Sequence, residues 1–402
     1  MKKIAMFTMG TRGDVQPYIY LAQELSKNDF QVVIGSHPCW RDLVEAANIT
    51  FVPVGPDVEI EKEAAVIRGK NKNPVFSMLK TMNFVFKIIE NSSEDVYHAC
   101  TGMDLIIVSH AQMGAAEAEA LGIETINVTL QTEMIPQELK EKTVTDRLFG
   151  GMIARQIARP YNKIRKKYNL KPVKDIGKIM SKQLDLIPIS RYVKERNPYW
   201  EPQHIFTGFW YQEEKEYQPD EALANFLADG EKPILLALGA MAFEEKAELE
   251  KLDMFVKAFE KTGYRAIIQG FQKTLQEYKL PESMIAIGSV PHSFLFARCS
   301  MVFHHCGFGT AAAALIYGVP SIPVPHVLDQ MGFADLLYKL GVAGKPINGN
   351  KMKEEEVADR IRDMELHYEE RTRKVRELSE KIKQENGLQN AVELIRGRFS
   401  RP

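Results

Sequence analysis

The chain has 402 residues, of which 45% are hydrophobic and 26% charged, the balance of a globular protein rather than a disordered or fibrous one. At about 100–200 residues per domain, this length predicts two or three domains, and two is the simplest division. The 52 Lys and Arg residues and 53 Asp and Glu residues give a formal net charge of −1. This balance excludes a surface built uniformly for nucleic acid, and no nucleic-acid partner is expected.

The cysteines and the N-terminal residues favour a reduced, cytoplasmic protein. The four cysteines form no C-x-x-C pair, and a chain of this length needs no disulfides to fold. Too few apolar residues precede Arg12 for a signal peptide. The uncharged stretch Cys299–Leu328 contains three prolines and two adjacent histidines, so it is interpreted as buried soluble structure rather than a membrane span.

The first half of the chain alternates between short apolar runs and stretches with helical spacing. The predicted buried strands are Ile4–Met9, Gln31–Ser36, Leu105–Ser109 and Thr125–Leu130. One helix is predicted around Leu21, Ala22 and Leu25, and another over the alanine-rich Gly114–Leu121. Such alternation predicts a parallel sheet covered by helices.

A charged segment with Pro219 follows Trp210 and is typical of an interdomain linker. A second alternating series begins after it. Its predicted strands are Pro233–Leu238, Arg265–Gln269, Met284–Gly288, Met301–His304 and Ser321–Val324. Its predicted helices are Glu245–Lys261, Thr310–Tyr317 and Gln330–Leu340, and the charged stretch 351–398 has helical composition.

The two series predict an α/β protein with two doubly wound, Rossmann-like domains facing each other across a cleft. We expect a first domain over residues 1–212, a linker over 213–231 and a second domain over 232–380. A C-terminal helix over 381–402 is expected to pack back toward the first domain. Ligands of such sheets bind at the carboxyl ends of strands, where both glycine-containing loops described next lie.

The first loop, Gly10–Asp14, joins the first predicted strand to the first predicted helix. Its two glycines allow a tight turn that exposes backbone N–H groups, which favours an anion. Asp14 would repel a phosphate resting on the loop. It is therefore either a helix cap, with Pro17 in the first helical turn, or a catalytic base that faces the cleft.

The second loop, His304–Thr310, contains Gly307 and Gly309 and opens a predicted helix. Its free N–H groups and the helix dipole favour a diphosphate. His305 is either a hydrogen-bond donor to a phosphate oxygen or a buried histidine satisfied by the backbone. The loop also matches the dinucleotide fingerprint G-x-G-x-x-A, with Asp329 about 20 residues further on. Prolines interrupt the intervening strand, which disfavours a nicotinamide or flavin site.

Asp329 and Gln330 follow the last predicted strand. An adjacent carboxylate and carboxamide can hold vicinal sugar hydroxyls, and helix capping by Asp329 is the alternative. The chain contains no Asp-x-Asp sequence, so no metal-bridged diphosphate is predicted. Two cysteines and two histidines lie within Cys299–Cys306, but neighbouring strand residues point to opposite faces, so no zinc site is expected.

Four motifs together resemble the family 1 UDP-sugar glycosyltransferases, in particular the branches that act on sterols, antibiotic aglycones and other lipophilic acceptors. The motifs are GTRGDVQP at Gly10–Pro17, VPHSFLF at Val290–Phe296, HHCGFGT at His304–Thr310 and GVPSIPVPHVLDQ at Gly318–Gln330. They occur in the family's order, and the resemblance extends over essentially the whole chain. It implies the GT-B fold, in which the first Rossmann-like domain binds the acceptor and the second binds the nucleotide-sugar donor.

Several residues match functional positions of that family. They are Asp14 for the catalytic base, His305, Gly307, Gly309, Thr310 and Gly239 for the donor diphosphate, Asp329 and Gln330 for the sugar hydroxyls, and Val290 for the backbone that holds uracil. Three positions depart from the family. Ala240 replaces a phosphate-contacting Ser, Cys306 replaces a frequent Gly, and His110 lies where many members have an Asp that orients a catalytic His. With Asp14 as the base, the role of His110 is open.

The resemblance implies an inverting, metal-independent hexosyltransferase that needs no cofactor and uses a UDP-sugar, UDP-glucose by likeness to members with a DQ pair, as co-substrate. The acceptor hydroxyl loses its proton to Asp14 and attacks the anomeric carbon as UDP departs toward Gly307–Thr310. The alternatives are a UDP-sugar 2-epimerase of the same fold and a non-catalytic protein that binds sugar nucleotides or lipids.

The segment Pro74–Ile89 has too many apolar residues for one helix face. Phe76, Met82 and Phe86 are candidates for an apolar acceptor pocket together with His110, and core packing is the alternative. A lipophilic or aromatic small-molecule acceptor is therefore expected.

Positive charge is concentrated in residues 146–182, which hold 11 Lys and Arg residues against two acidic ones. This segment is either a solvated helical face or a site of peripheral contact with an anionic membrane. The net charge therefore conceals a cationic segment in the acceptor half.

Overall fold

The computed structural model describes residues 1–58, 60, 63, 67, 74–135, 144–177, 183–213, 217–239 and 245–399. The chain forms two compact units. The N-terminal unit comprises Met1–Arg191, Glu195–Tyr211 and Asn386–Pro402, and the C-terminal unit comprises Tyr192–Lys194 and Gln212–Glu385. Each unit is an α/β domain with its own parallel sheet.

The sheet of the N-terminal unit places its first and fourth strands side by side. Its strands are β1 (Lys2–Phe7), β2 (Phe30–Ser36), β3 (Thr50–Pro53), β4 (Leu105–Ser109), β5 (Thr125–Val128), β6 (Asp185–Ile187) and β7 (His204–Phe206). They lie in the order β3-β2-β1-β4-β5-β6-β7, all parallel. The carboxyl ends of β1 and β4 therefore form the switch point of this sheet, where doubly wound folds bind ligands.

Five helices of the described part of the chain accompany this sheet. They are α1 (Arg12–Lys27), α2 (Arg41–Glu45), α3 (Pro74–Cys100), α4 (Ala115–Leu121) and α5 (Val144–Lys167). The surplus of apolar residues at the start of α3 does not break that helix, which runs for 27 residues. Its second half buries Ile88, Ile89 and Val96 in the core, whereas Phe84 and Phe86 are only partly buried.

The C-terminal unit repeats the same plan with five strands. They are β8 (Ile234–Ala237), β9 (Ala266–Gln269), β10 (Met284–Ile287), β11 (Met301–His304) and β12 (Ser321–Pro323), in the parallel order β10-β9-β8-β11-β12. Its helices are α6 (Glu221–Ala228), α7 (Glu245–Thr262), α8 (His292–Phe296), α9 (Phe308–Ile316), α10 (Leu328–Lys339), α11 (Glu354–Leu366) and α12 (Tyr368–Gln384). The rings of Phe255, Phe259 and Phe303 meet in its core.

The last helix, α13 (Gly387–Phe399), belongs to the N-terminal unit. A Cβ on Gly387 would lie 2.4 Å from the backbone oxygen of Phe209, so only glycine fits where α13 begins. The Asn390 side chain donates to the Thr207 carbonyl at 2.9 Å, and Arg396 donates to Asn28 at 2.8 Å.

All nine predicted strands are present, with ends displaced by two residues at most. Three further strands, β3, β6 and β7, were not predicted. The helix predicted from Thr310 begins two residues earlier, at Phe308. Within the described ranges, no helix combines the length and apolar composition that a membrane span requires.

Candidate active site

The loop after β1 holds the Asp14 carboxylate in a fixed position. Its Oδ2 atom accepts hydrogen bonds from the Thr11 N–H at 2.8 Å and the Thr11 hydroxyl at 3.0 Å. Gly10 has a φ of 125°, and a Cβ there would lie 2.4 Å from the same Oδ2, so glycine is required twice over. Asp14 therefore caps the helix from a different position than expected: Thr11 is the N-cap residue, and Asp14, three residues further on, completes a capping box at the start of α1.

His110 directly follows β4, the strand next to β1, and the Asp14 carboxylate acts electrostatically on its ring. Burial lowers the pKa of His110 from its usual value, and the carboxylates of Asp14 and Asp185 oppose that shift. The imidazole is therefore neutral at pH 7. Its Nδ1 atom is buried and has no hydrogen-bond partner among the described residues.

A buried polar network that the sequence patterns did not indicate lies on β6 and β7. Asp185 and His204 are joined by a contact of 2.7 Å between Oδ2 and Nδ1, and the Thr129 hydroxyl donates to the other carboxylate oxygen at 2.7 Å. All three side chains are at most 2% exposed. The only signal in the sequence is a polar residue at the start of each of two short apolar runs.

The predicted acceptor-pocket residues are only partly described. Phe76 and Met82 lie on α3, but their side chains are outside the described part of the structure. Phe86 lines a small apolar cavity of about 10 Å³, room for a single water at most. The other residues around this cavity are Ile89, Ala111, Pro160, Tyr161, Ile164 and Ile176. One of these residues, Ala111, directly follows His110 in the sequence.

The second loop places an uncapped helix end at the carboxyl edge of the other sheet. Gly307 is the N-cap residue of α9, and no side chain caps the helix there. The first intrahelical bond of α9 runs from the Ala311 N–H to the Gly307 carbonyl, so the preceding N–H groups, including those of Gly309 and Thr310, have no acceptor within the helix. Together with the helix dipole they form an anion site.

The His305 ring lies between Gly239, in the loop after β8, and Gly307, in the loop after β11. A Cβ on Gly239 would be 2.3 Å from its Cε1 atom, and a Cβ on Gly307 would be 2.2 Å from its Nε2 atom. Burial and the neighbouring His292 lower the pKa of His305 to about 4. His305 is therefore a neutral imidazole beside the open end of α9. Ala240, the next residue after Gly239, lies outside the described residues.

The pair at the start of α10 behaves differently from the expectation for helix capping. The Gln330 side chain caps the helix, because its Oε1 atom accepts from the N–H groups of His326 at 2.8 Å and Val327 at 3.3 Å. Gln330 is 6% exposed. Asp329 lies in the first turn of α10, and its side chain is outside the described part of the structure.

Val290 is buried in the loop after β10, and the side chain of Gln269 donates to its carbonyl at 3.3 Å. His326, within the motif at Gly318–Gln330, is a buried residue to which the motif assigned no role. Burial, Lys251 and His305 lower its pKa to about 3, and a Cβ on Gly349 would lie 2.3 Å from its ring.

Among the described residues no group of three or more side chains is arranged to hold a metal ion.

Comparison with known proteins identifies the class. Residues 4–126 match the model of the glycosyltransferase family 28 N-terminal domain, and residues 266–392 match that of the erythromycin biosynthesis protein CIII-like C-terminal domain. Two Rossmann-like units with these two domain types define a GT-B glycosyltransferase. The resemblance to GT-B glycosyltransferases drawn from the four motifs is thus confirmed.

Curated relatives include a sterol 3-beta-glucosyltransferase of Arabidopsis thaliana, 28% identical over 97% of this chain and 67% of the relative. The O-mycaminosyltylonolide 6-deoxyallosyltransferase of Streptomyces fradiae is 28% identical over 98% of this chain and 96% of the relative. The chain spans about a quarter of the sterol 3-beta-glucosyltransferase of Debaryomyces hansenii.

Solved structures share the fold. The glycosyltransferase of kitacinnamycin superposes with a TM-score of 0.75 at 16% identity, covering 98% of each chain. The glycosyltransferase VinC, solved in complex with dTDP, superposes with a TM-score of 0.70 at 19% identity, also covering 98% of each chain.

Proposed function

We propose that this enzyme transfers a hexose from a UDP-sugar, with inversion, to a hydroxyl group of a lipophilic or aromatic small molecule, and that Asp14 is the general base. The observation that carries this proposal is the Asp14 carboxylate, held through Oδ2 at the switch point of the acceptor-side sheet. A carboxylate in a fixed orientation at that edge can accept a proton from a bound hydroxyl.

The proposed reaction is a displacement at the anomeric carbon of the donor sugar. As the acceptor oxygen forms its bond to the anomeric carbon, its proton passes to Asp14 and the bond from that carbon to the diphosphate breaks. Attack opposite the leaving group inverts the configuration. The neutral His110 places no competing positive charge beside the carboxylate. General-base assistance of this kind is worth about 10²–10⁴-fold in rate.

The leaving diphosphate is assigned to the open end of α9. The N–H groups of Gly309 and Thr310, the helix dipole and a hydrogen bond from His305 stabilise the charge that develops as UDP departs. Gly239 and Gly307 leave the space that His305 occupies.

The donor sugar and base are assigned to the surrounding loops. We assign the sugar hydroxyls chiefly to Asp329, because Oε1 of Gln330 already accepts two backbone N–H groups. The backbone of Val290 is assigned to the uracil ring. The sterol 3-beta-glucosyltransferases among the relatives support glucose as the sugar, whereas solved neighbours in complex with dTDP make thymidine-linked sugars the donors to compare.

The acceptor-side unit also offers a membrane contact through α5. Along this helix Arg155, Arg159 and Lys166 are exposed on one basic face, and Lys171 and Lys174, beyond the end of the helix, are also exposed. An anionic bilayer attracts such a face, and lipophilic acceptors partition into bilayers.

A single screen tests the proposal. The purified protein is incubated with UDP-glucose, UDP-galactose, UDP-GlcNAc and dTDP-glucose across a library of sterol, macrolide and phenolic acceptors, and nucleotide release is measured with mass spectrometry of the products. We expect UDP release and a hexosylated product with UDP-glucose. Consumption of UDP-GlcNAc without acceptor would indicate an epimerase, and UDP binding without release would indicate a non-catalytic binder.

A further inference from the structure

His304 is the last residue of β11, and its side chain makes a hydrogen bond that an apolar core residue of the same size could not make. Its side chain is fully buried, and its Nδ1 atom accepts a hydrogen bond of 3.1 Å from the backbone N–H of Cys306. Because Nδ1 is the acceptor, the ring proton must sit on Nε2, which is buried with no partner among the described residues. A phenylalanine would avoid that unpaired N–H, so packing alone does not explain a histidine here.

The residue that receives this help is conformationally strained. Cys306 has a φ of 62°, a left-handed conformation that glycine adopts freely and that other residues rarely adopt. Its side chain is buried, and burial raises the pKa of its thiol well above the usual value, so the thiol contributes no charge to the loop. The hydrogen bond from Cys306 to His304 is thus the polar contact that holds a non-glycine residue in this turn.

The turn determines the position of the groups that follow it. Cys306 is bracketed by His305, whose ring lies against Gly239 and Gly307, and by Gly307, the N-cap residue of α9. A change in the Cys306 conformation therefore moves both the His305 ring and the first N–H groups of α9.

We propose that His304 is a positioning residue for nucleoside diphosphate binding: by accepting from the Cys306 N–H it sets the turn that aims His305 and the open end of α9 at the diphosphate. The inference rests on the proposed function of this loop. It assigns His304 no contact with the substrate, because the side chain is fully buried.

The test uses the fact that glycine needs no help in this turn. UDP affinity is measured by calorimetry for wild type, His304→Phe, His304→Asn, Cys306→Gly and the double variant His304→Phe/Cys306→Gly. We expect His304→Phe to weaken UDP binding about tenfold and to raise the donor KM while leaving the acceptor KM unchanged. His304→Asn, whose Oδ1 occupies the δ position, is expected to stay within about threefold of wild type.

The decisive comparison is between backgrounds. Adding His304→Phe to Cys306→Gly is expected to change UDP affinity less than about threefold, and an equal tenfold loss in both backgrounds would overturn the proposal. Thermal melting of each variant identifies any that fail to fold. The alkylation rate of Cys306, followed by peptide mass spectrometry, provides a readout without UDP: we expect it to rise in His304→Phe and not in His304→Asn. If wild type binds no UDP, the proposed donor function fails, and this alkylation result still decides whether His304 holds the turn.

Discussion

At the scale of single residues, the two candidate sites each place a neutral imidazole beside a group that handles negative charge. His110 lies near the Asp14 carboxylate, and His305 lies beside the open end of α9. Burial keeps both rings uncharged at neutral pH. A change in the group beside each histidine, such as removal of the Asp14 charge or binding of a diphosphate, should therefore change the pKa of that histidine.

The coupling between His110 and Asp14 can be measured by NMR. The Asp14 carboxylate raises the pKa of His110 against the effect of burial, so Asp14→Asn should lower that pKa further. The pKa is read from a pH titration of ¹³C-labelled histidine rings, with His110→Gln supplying the assignment. An unchanged or increased pKa in Asp14→Asn would show that the two side chains do not interact.

His305 should bind the diphosphate more strongly as pH falls. Its pKa is lowered to about 4 in the free protein, and a bound diphosphate favours the imidazolium form. His305→Ala should weaken UDP binding by about 10–100-fold at pH 7, since it removes a hydrogen bond to a charged group. The ratio of wild-type to His305→Ala affinity, measured by calorimetry, should increase from pH 8 to pH 6. A ratio that stays near one at both pH values would remove His305 from the diphosphate site.

The need for glycine in the two loops could be predicted from the sequence, but the hydrogen bonds of the loop side chains could not. The glycines near Asp14 and His305 follow from the need for tight turns, and the structure places a side chain against each of Gly10, Gly239 and Gly307. The capping role of Gln330 was not predicted, because a glutamine side chain can bind either a sugar hydroxyl or a backbone N–H group, and the sequence does not show which of the two it binds.

At the scale of elements, nine of the twelve described strands were predictable from apolar runs. The three missed strands are β3, β6 and β7, and length does not distinguish them, because β8–β12 also have only three or four residues each. In β6 and β7 the first residue is a buried charged or polar group, Asp185 or His204. These two residues are partners across β6 and β7, a tertiary contact that the local pattern does not reveal.

The Asp185–His204 pair gives a stability prediction. Replacing His204 with Leu leaves a buried carboxylate with one fewer partner, and we expect the free energy of unfolding to fall by about 3–5 kcal/mol. Urea denaturation of His204→Leu, Asp185→Leu and the double variant forms a mutant cycle. The double variant should lose less than the sum of the single losses, and strict additivity would show that the contact carries no coupling.

The basic face of α5 gives a binding prediction. Reversing charge in the triple variant Arg155→Glu/Arg159→Glu/Lys166→Glu should reduce co-sedimentation with phosphatidylserine vesicles by about 100-fold or more, at about 1 kcal/mol per basic residue. The matched control reverses three exposed lysines of the C-terminal unit, Lys273, Lys279 and Lys339, and should bind as wild type does. Equal binding of wild type to phosphatidylcholine vesicles would reject an electrostatic membrane contact.

At the scale of the whole molecule, the sequence predicted two α/β domains because each half carries its own alternation of strands and helices. The sequence analysis also expected the C-terminal helix on the side of the first domain. Residues 386–402 belong to the N-terminal unit, where Gly387 meets the backbone of Phe209.

The central claim, that Asp14 is the base of an inverting transfer, is most directly tested by the turnover of Asp14→Asn with saturating UDP-glucose and acceptor. Asparagine can still accept from Thr11, so the helix cap, the melting temperature and UDP affinity should stay close to wild type. We expect the turnover number to fall by about 10²–10⁴-fold and UDP affinity to change only a few-fold. A folded Asp14→Asn enzyme that turns over at the wild-type rate would contradict it.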